Sequence, residues 1–178
     1  MRKNITNKSR NSQAGMTMIE GLAWMALAGI VIAGALVANA SGWGGNKIRQ
    51  DTTQLTSLFG NAKKLQDVSG YGAAGTNLIP AMVTQKLVPA DMTASGNTLT
   101  NKYGGAVTLV STGLGYTLSS AGYPSEACME VGRNLSLAGS GMTTSINGGG
   151  AISGQVGSAA AAAQCTGTSN TVAWTSAN

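Results

Sequence analysis

Six carboxylates, two cysteines and no histidine set the chemistry open to this chain. Without an imidazole there is no ready general base or nitrogen metal ligand. Serines are frequent, but no nucleophile elbow, Ser-x-x-Lys arrangement or phosphate loop ending in lysine surrounds one. Glu126 and Glu130 are four residues apart, so on a helix they share a face. Paired carboxylates can do acid–base work. Here no cleft-forming residues accompany them, and they read more simply as a solvated face, as do Lys63, Lys64 and Arg133. Asp91 among Gly/Asn loops lacks the ligand spacing of a calcium site. These observations argue against an enzyme, and no cofactor or metal is expected.

Glu20 is different. It stands at the edge of residues 21–38, an almost wholly apolar run without charge. As a helix those 18 residues extend about 27 Å, close to the thickness of a bilayer's hydrocarbon. A carboxylate drawn into hydrocarbon costs roughly 2.5–3.5 kcal/mol, so its presence calls for a use. Ahead of it, residues 1–15 carry Arg2, Lys3, Lys8 and Arg10 and no acid. Cations on that flank hold it in the cytoplasm, which sends everything after Ser41 outward.

The remaining composition fits export. From Met16 onward seven cations face six acids, so no basic field remains to gather nucleic acid. Cys128 and Cys165 both follow the apolar run. Two cysteines in an exported domain read as one disulfide; the other possibility is a pair of buried thiols. The 26 glycines and sparse charge indicate a loop-rich domain with a neutral surface.

Elements follow from periodicity. Residues 41–46, Ser-Gly-Trp-Gly-Gly-Asn, read as a flexible joint. Ile48, Leu55, Leu58, Phe59, Ala62 and Leu65 then recur at helical spacing, with Gln50, Asp51, Gln54, Ser57, Asn61 and Lys64 on the opposite face, ending near Gly70. A helix is expected over 76–87, with Thr76 or Asn77 as cap and Pro80 in its first turn. Strands are expected over 98–100, 106–110 and 115–119, with weaker ones at 142–146 and 151–156. Helices are expected over 124–137 and 157–165. A closing strand over 170–176 would turn Trp174 inward.

Gly15, Met16, a fifth-position Glu20 and a long apolar helix, in that order after a basic leader, resemble the prepilins of type IV pili. A mature chain starting on methionine is similar to the type IVb subgroup. Asn101-Lys102-Tyr103-Gly104-Gly105, the segment around Ala127-Cys128 and the late Cys165 resemble the PilS-like and bundle-forming major pilins. The resemblance implies an α+β fold: a cleaved leader at 1–15, a long N-terminal helix at 16–69 with a transmembrane part over about 21–40, and a head at 70–178 with an antiparallel sheet. It implies a prepilin peptidase that cuts between Gly15 and Met16 and methylates the Met16 amine. Glu20 would then pair with that amine on a neighbouring subunit during assembly. The implied partners are further copies in a helical filament, inner-membrane assembly machinery and minor pilins. The implied path runs from the inner membrane, with the leader cytoplasmic and the head periplasmic, to a pilus on the cell surface. Lys63-Lys64 or Arg133 could meet Asp51, Asp67 or Glu130 of a neighbour.

Such filaments serve adhesion, aggregation, motility or conjugative transfer. One departure is that no proline lies between Met16 and Gly70, leaving Gly29, Gly34 or residues 42–45 to supply any bend. Alternatives are a minor pilin, a secretion-system pseudopilin, or a soluble domain released by signal-peptidase cleavage after Ala38-Asn39-Ala40.

Overall fold

The computed structural model describes residues 44–137 and 141–176. The expected span at 21–40, and with it Gly15, Met16 and Glu20, lies outside them. Among the described residues no helix is long and apolar enough to cross a membrane.

Helix α1 covers residues 44–62 and tightens into a 3-10 turn at Lys63–Leu65. Its buried stripe is Ile48, Asp51, Leu55, Leu58 and Ala62, spaced alternately three and four residues apart as a helix packed on one side requires. Gly44, Gly45 and Asn46, expected in a joint, are helical. The helix also stops short of its expected end. Asp67 and Gly70 close a turn through mutual backbone hydrogen bonds of 2.9 and 3.1 Å. Gly70 has φ +102°, and a Cβ there would strike the Gly113 carbonyl, so only glycine fits that approach.

Seven strands form one antiparallel sheet: β1 Thr93–Ser95, β2 Thr98–Thr100, β3 Ala106–Ser111, β4 Tyr116–Tyr123, β5 Met142–Ile146, β6 Ile152–Ser153 and β7 Asn170–Ser176. Their spatial order is β1-β2-β3-β4-β7-β5-β6, so the last strand lies inside the sheet, between β4 and β5. Burial alternates along β3, β4 and β5, which marks a sheet with a single covered face. Leu109, Tyr116, Leu118, Val172 and Trp174 all lie in that core, while Thr108, Thr117, Thr143 and Ser145 occupy the other face.

The covered face lies under α1 and helix α3, Ser125–Ser136. Gly132 brings α3 close to the sheet, since a Cβ there would touch Ile146 and Val172. The short helices α2, Ile79–Thr84, and α4, Ser158–Gln164, brace β3 and α3. Helix α2 is shorter than expected at both ends. Asn77 assists its start, its Oδ1 accepting from the Ile79 N–H at 3.0 Å, with Pro80 in the first turn. β1 was not expected, and β4 runs four residues further than its alternation indicated.

Cys128 of α3 and Cys165, the residue after α4, form a disulfide with Cα atoms 5.8 Å apart. The bridge is buried and closes a loop spanning α3, β5, β6 and α4. Cys128→Ser should lower the head's unfolding free energy by roughly 4 kcal/mol on the chain-entropy account. Urea unfolding checks this: the variant's midpoint drops, and reducing agent drops the wild-type midpoint but leaves the variant's unchanged.

Candidate functional site

The structure joins the α1 rod to the head through one buried carboxylate. Asp51, read from sequence as a member of the polar face, is fully buried. Its Oδ2 accepts from the Tyr123 hydroxyl at 2.5 Å and its Oδ1 accepts from the Lys102 backbone N–H at 3.0 Å. The bonds span 72 and 51 residues of sequence, so each ties α1 to a distant part of the chain.

Both acceptor sites of the carboxylate have a built support. Ser120 and Tyr123 are three apart on β4, where strict alternation would send them to opposite faces. A bulge shifts the β4–β7 register between them, with Gly122 at φ +84°. The extra residue puts both hydroxyls on the covered face, 2.7 Å apart. Tyr123 donates to Asp51, so Ser120 donates to Tyr123, and Asn101 Nδ2 donates to Ser120 at 2.9 Å. The chain of donors therefore has one direction, ending on the carboxylate.

Asn101 also organises the loop that offers the Lys102 N–H. Its Oδ1 accepts from the N–H groups of Tyr103 and Gly105, and its Nδ2 donates to the Ala121 carbonyl. Every polar capacity of this side chain is used. Gly105 lies against the Ala121 carbonyl and Gly122, leaving no room for a Cβ. The Asn-Lys-Tyr-Gly-Gly segment is thus a receptor for the α1 carboxylate. Tyr103 packs edge-on to Tyr123 at 5.4 Å, with the Lys47 ammonium 5.9 Å from its centroid.

Burial pushes the Asp51 carboxyl above its ordinary range; the bonds from Tyr123 and Lys102, and the Lys102 charge, pull the other way, and burial prevails. Burial and the adjacent Asp51 charge push the Tyr123 phenol up. Tyr116 is also raised, by burial first and then by the neighbouring Tyr71. The Tyr116 hydroxyl donates to the Phe59 carbonyl at 2.6 Å, a second tie to α1 about two turns beyond Asp51.

The carboxylate pair of α3 is exposed. Glu126 and Glu130 line a groove of about 280 Å³ with Gly45, Ile48, Arg49 and Asn134, and Asn134 donates to Glu130 at 3.2 Å. Among the described residues no three His, Cys, Asp or Glu side chains gather as a metal site would require. Asp67 holds the Ser69 N–H at 3.0 Å within its own turn. Of the acids named from sequence as contacts for a neighbour, Asp51 is therefore already engaged inside its own subunit. Sequence reasoning missed its burial; the one signal for it is that Asp51 falls in the alternating three-four spacing of the buried stripe.

A helix laid over one face of an antiparallel sheet, with a disulfide late in the chain, is the α+β architecture of type IV pilins. The fold matches the crystal structure of a type IV b pilin from Salmonella typhi with TM-score 0.62 and 20% identity, over 72% of this chain and 99% of that one. A family model described as PilS N terminal matches residues 45–177. The chain belongs to that PilS family and is a type IVb pilin. Among curated proteins, none matches it.

The raised carboxyl gives a pH signature. Since the folded value exceeds the ordinary 3.8, the folded state holds this proton more tightly. The site's contribution to stability is therefore greatest below that value and falls as pH rises through the raised one. Unfolding free energies measured across this window should decline with pH in the wild type relative to Asp51→Asn. Tyr123→Phe, which removes a donor from a buried carboxylate, should cost about 1–3 kcal/mol at neutral pH.

Proposed function

We propose that this chain is made as a prepilin and polymerises as the major subunit of a type IVb pilus. The observation that carries the reading is an order of features: Gly15, Met16, Glu20 and the uncharged run to Ala38 precede a head of the PilS family. A peptidase cuts after Gly15, and the Met16 amine is methylated. Until assembly the apolar run lies in the inner membrane with the head in the periplasm. In the filament the apolar runs of many copies pack together, and the heads form the outer shell on the cell surface.

The physics supports the role of Glu20. A carboxylate in an apolar interior is strongly unfavourable without a partner, so an incoming amine fixes the register of the new subunit. A helical filament needs a heterologous contact, in which one patch meets a different patch on the next copy. The described head offers a neutral Thr/Ser face and few charges for such packing. Adhesion, aggregation, motility and conjugative transfer are the uses such a filament serves.

N-terminal sequencing of the mature protein should begin at Met16, and this chain should dominate the mass of purified filaments. Glu20→Ala should leave a processed, membrane-inserted subunit and cut filament yield sharply. A start at Ser41 with a soluble monomer would overturn the proposal; a trace presence in filaments would make the chain a minor pilin.

A further inference from the structure

Helix α1 is fastened to the head unevenly along its length. Within residues 44–50 only Ile48 is buried, whereas between 51 and 62 Asp51, Gln54, Leu55, Leu58 and Ala62 all are. Among the described residues, the hydrogen bonds that tie α1 to the rest of the head begin at Asp51. They continue at Phe59 and at Asn61, whose Nδ2 donates to the Leu87 carbonyl at 2.8 Å. Ahead of Asp51, the exposed Lys47 stands with its ammonium 5.9 Å from the Tyr103 centroid, a weak contact for a solvated cation.

The first turn is also poorly suited to helix. Gly44 and Gly45 each disfavour it. A Cβ at either would meet nothing within 4 Å, so no close approach requires glycine there. Beneath this segment runs a groove of about 280 Å³. Gly45, Ile48 and Arg49 of α1 form one wall, and Glu126, Glu130 and Asn134 of α3 form the other. Arg49, Glu126 and Glu130 are exposed. Their opposite charges draw the walls together across solvent, an attraction that salt screens.

We propose that α1 carries a built-in hinge with Asp51 as its stop. Residues 44–50 unwind and lift off α3 as one unit, while α1 from Asp51 onward stays seated. Lifting the segment uncovers one buried side chain, Ile48. Going one residue further takes the Asp51 carboxylate from its two donors and leaves the buried Tyr123 hydroxyl without its acceptor. Opening therefore halts there, and the pull of Glu126 and Glu130 on Arg49 returns the segment. The use of this device rests on the filament reading above. The apolar run joins the chain ahead of Gly44, and a segment that opens reversibly lets that run be repositioned during assembly without disturbing the head.

Hydrogen exchange on the full-length chain in detergent micelles tests the hinge. Each helical amide bonds the carbonyl four residues back, so unwinding 44–50 frees the amides of 48–54. These should exchange at least about a hundredfold faster than those of 55–62, through an opening insensitive to denaturant. Gly44→Ala with Gly45→Ala should slow them about tenfold. Added salt should speed them in the wild type but not in Arg49→Gln. In Asp51→Asn and Tyr123→Phe the fast group should extend into 55–58, while protected amides of β4 and β7 show that the head is still folded. Equal protection across 48–62, exchange at 48–54 that follows global unfolding, or an unmoved boundary in both variants would overturn the hinge. In assembling cells the double alanine variant should lose filament yield at normal subunit abundance, and wild-type yield from it would overturn the assembly use. Absence of filaments from the wild type strikes the filament reading instead and leaves the exchange result standing.

Discussion

One carboxylate inside an apolar stripe holds this molecule's parts in register. Asp51 sits where a leucine would satisfy the helix pattern, and burying it is favourable only if its oxygens find donors. The donors come from β4 and from the loop between β2 and β3. An apolar residue there would pack about as well against several helix positions, because hydrophobic contact has little directionality. The carboxylate accepts one placement. For a helix that joins a head to an apolar N-terminal segment, fixed rotation and height matter more than extra adhesion.

That requirement explains features that look unrelated when taken singly. The bulge in β4 puts Ser120 and Tyr123 on one face. Gly105 and Gly122 let two backbones touch, and Asn101 spends all its hydrogen-bonding capacity on the same small region. Each is a local departure from regular structure that would cost stability without the others. Together they make a preorganised receptor, in which donors already point at the position the carboxylate takes. The C-terminal half of the head has a parallel device. Asn170 is fully buried and donates to the carbonyls of Tyr123 and Gly167 while accepting from Asn147 and the Gly167 N–H. It fastens the start of β7 to the residue that holds Asp51.

Much of this fold was legible because periodicity is a direct consequence of one-sided burial. β7 runs Asn170–Ser176 with Trp174 fully buried, as its alternation indicated, and α3 buries Ala127, Cys128, Val131 and Leu135. The pairing of Cys128 with Cys165 also followed from their number and their place after the apolar run. What was not legible depended on long-range partners. Asp51 was read as solvated because a charge is usually exposed, and its donors lie 51 and 72 residues away. β4 was ended at Ser119 because the bulge breaks the alternation just where the strand continues. Gly44 and Gly45 signalled a joint, yet both are helical; glycine disfavours helix by only about 1 kcal/mol per residue, which a packed Ile48 can outweigh. The processing and assembly roles read at Gly15, Met16 and Glu20 rest on the order of those residues and on resemblance alone, and they lie outside the described residues.

The edges of the sheet bear on how such heads meet one another. An open edge strand invites pairing with another sheet, which would fuse copies through backbone bonds without regard to side chains. Here the edges are β1, three exposed residues, and β6, two residues. Strands that short offer little to pair with. The last strand in sequence, β7, is inserted between β4 and β5, so the chain itself closes the interior of the sheet. Lateral association through the sheet is thus discouraged at both ends. What the described head leaves exposed instead is the outer stripe of α1 and the loops around it, a surface of side chains and not of open backbone.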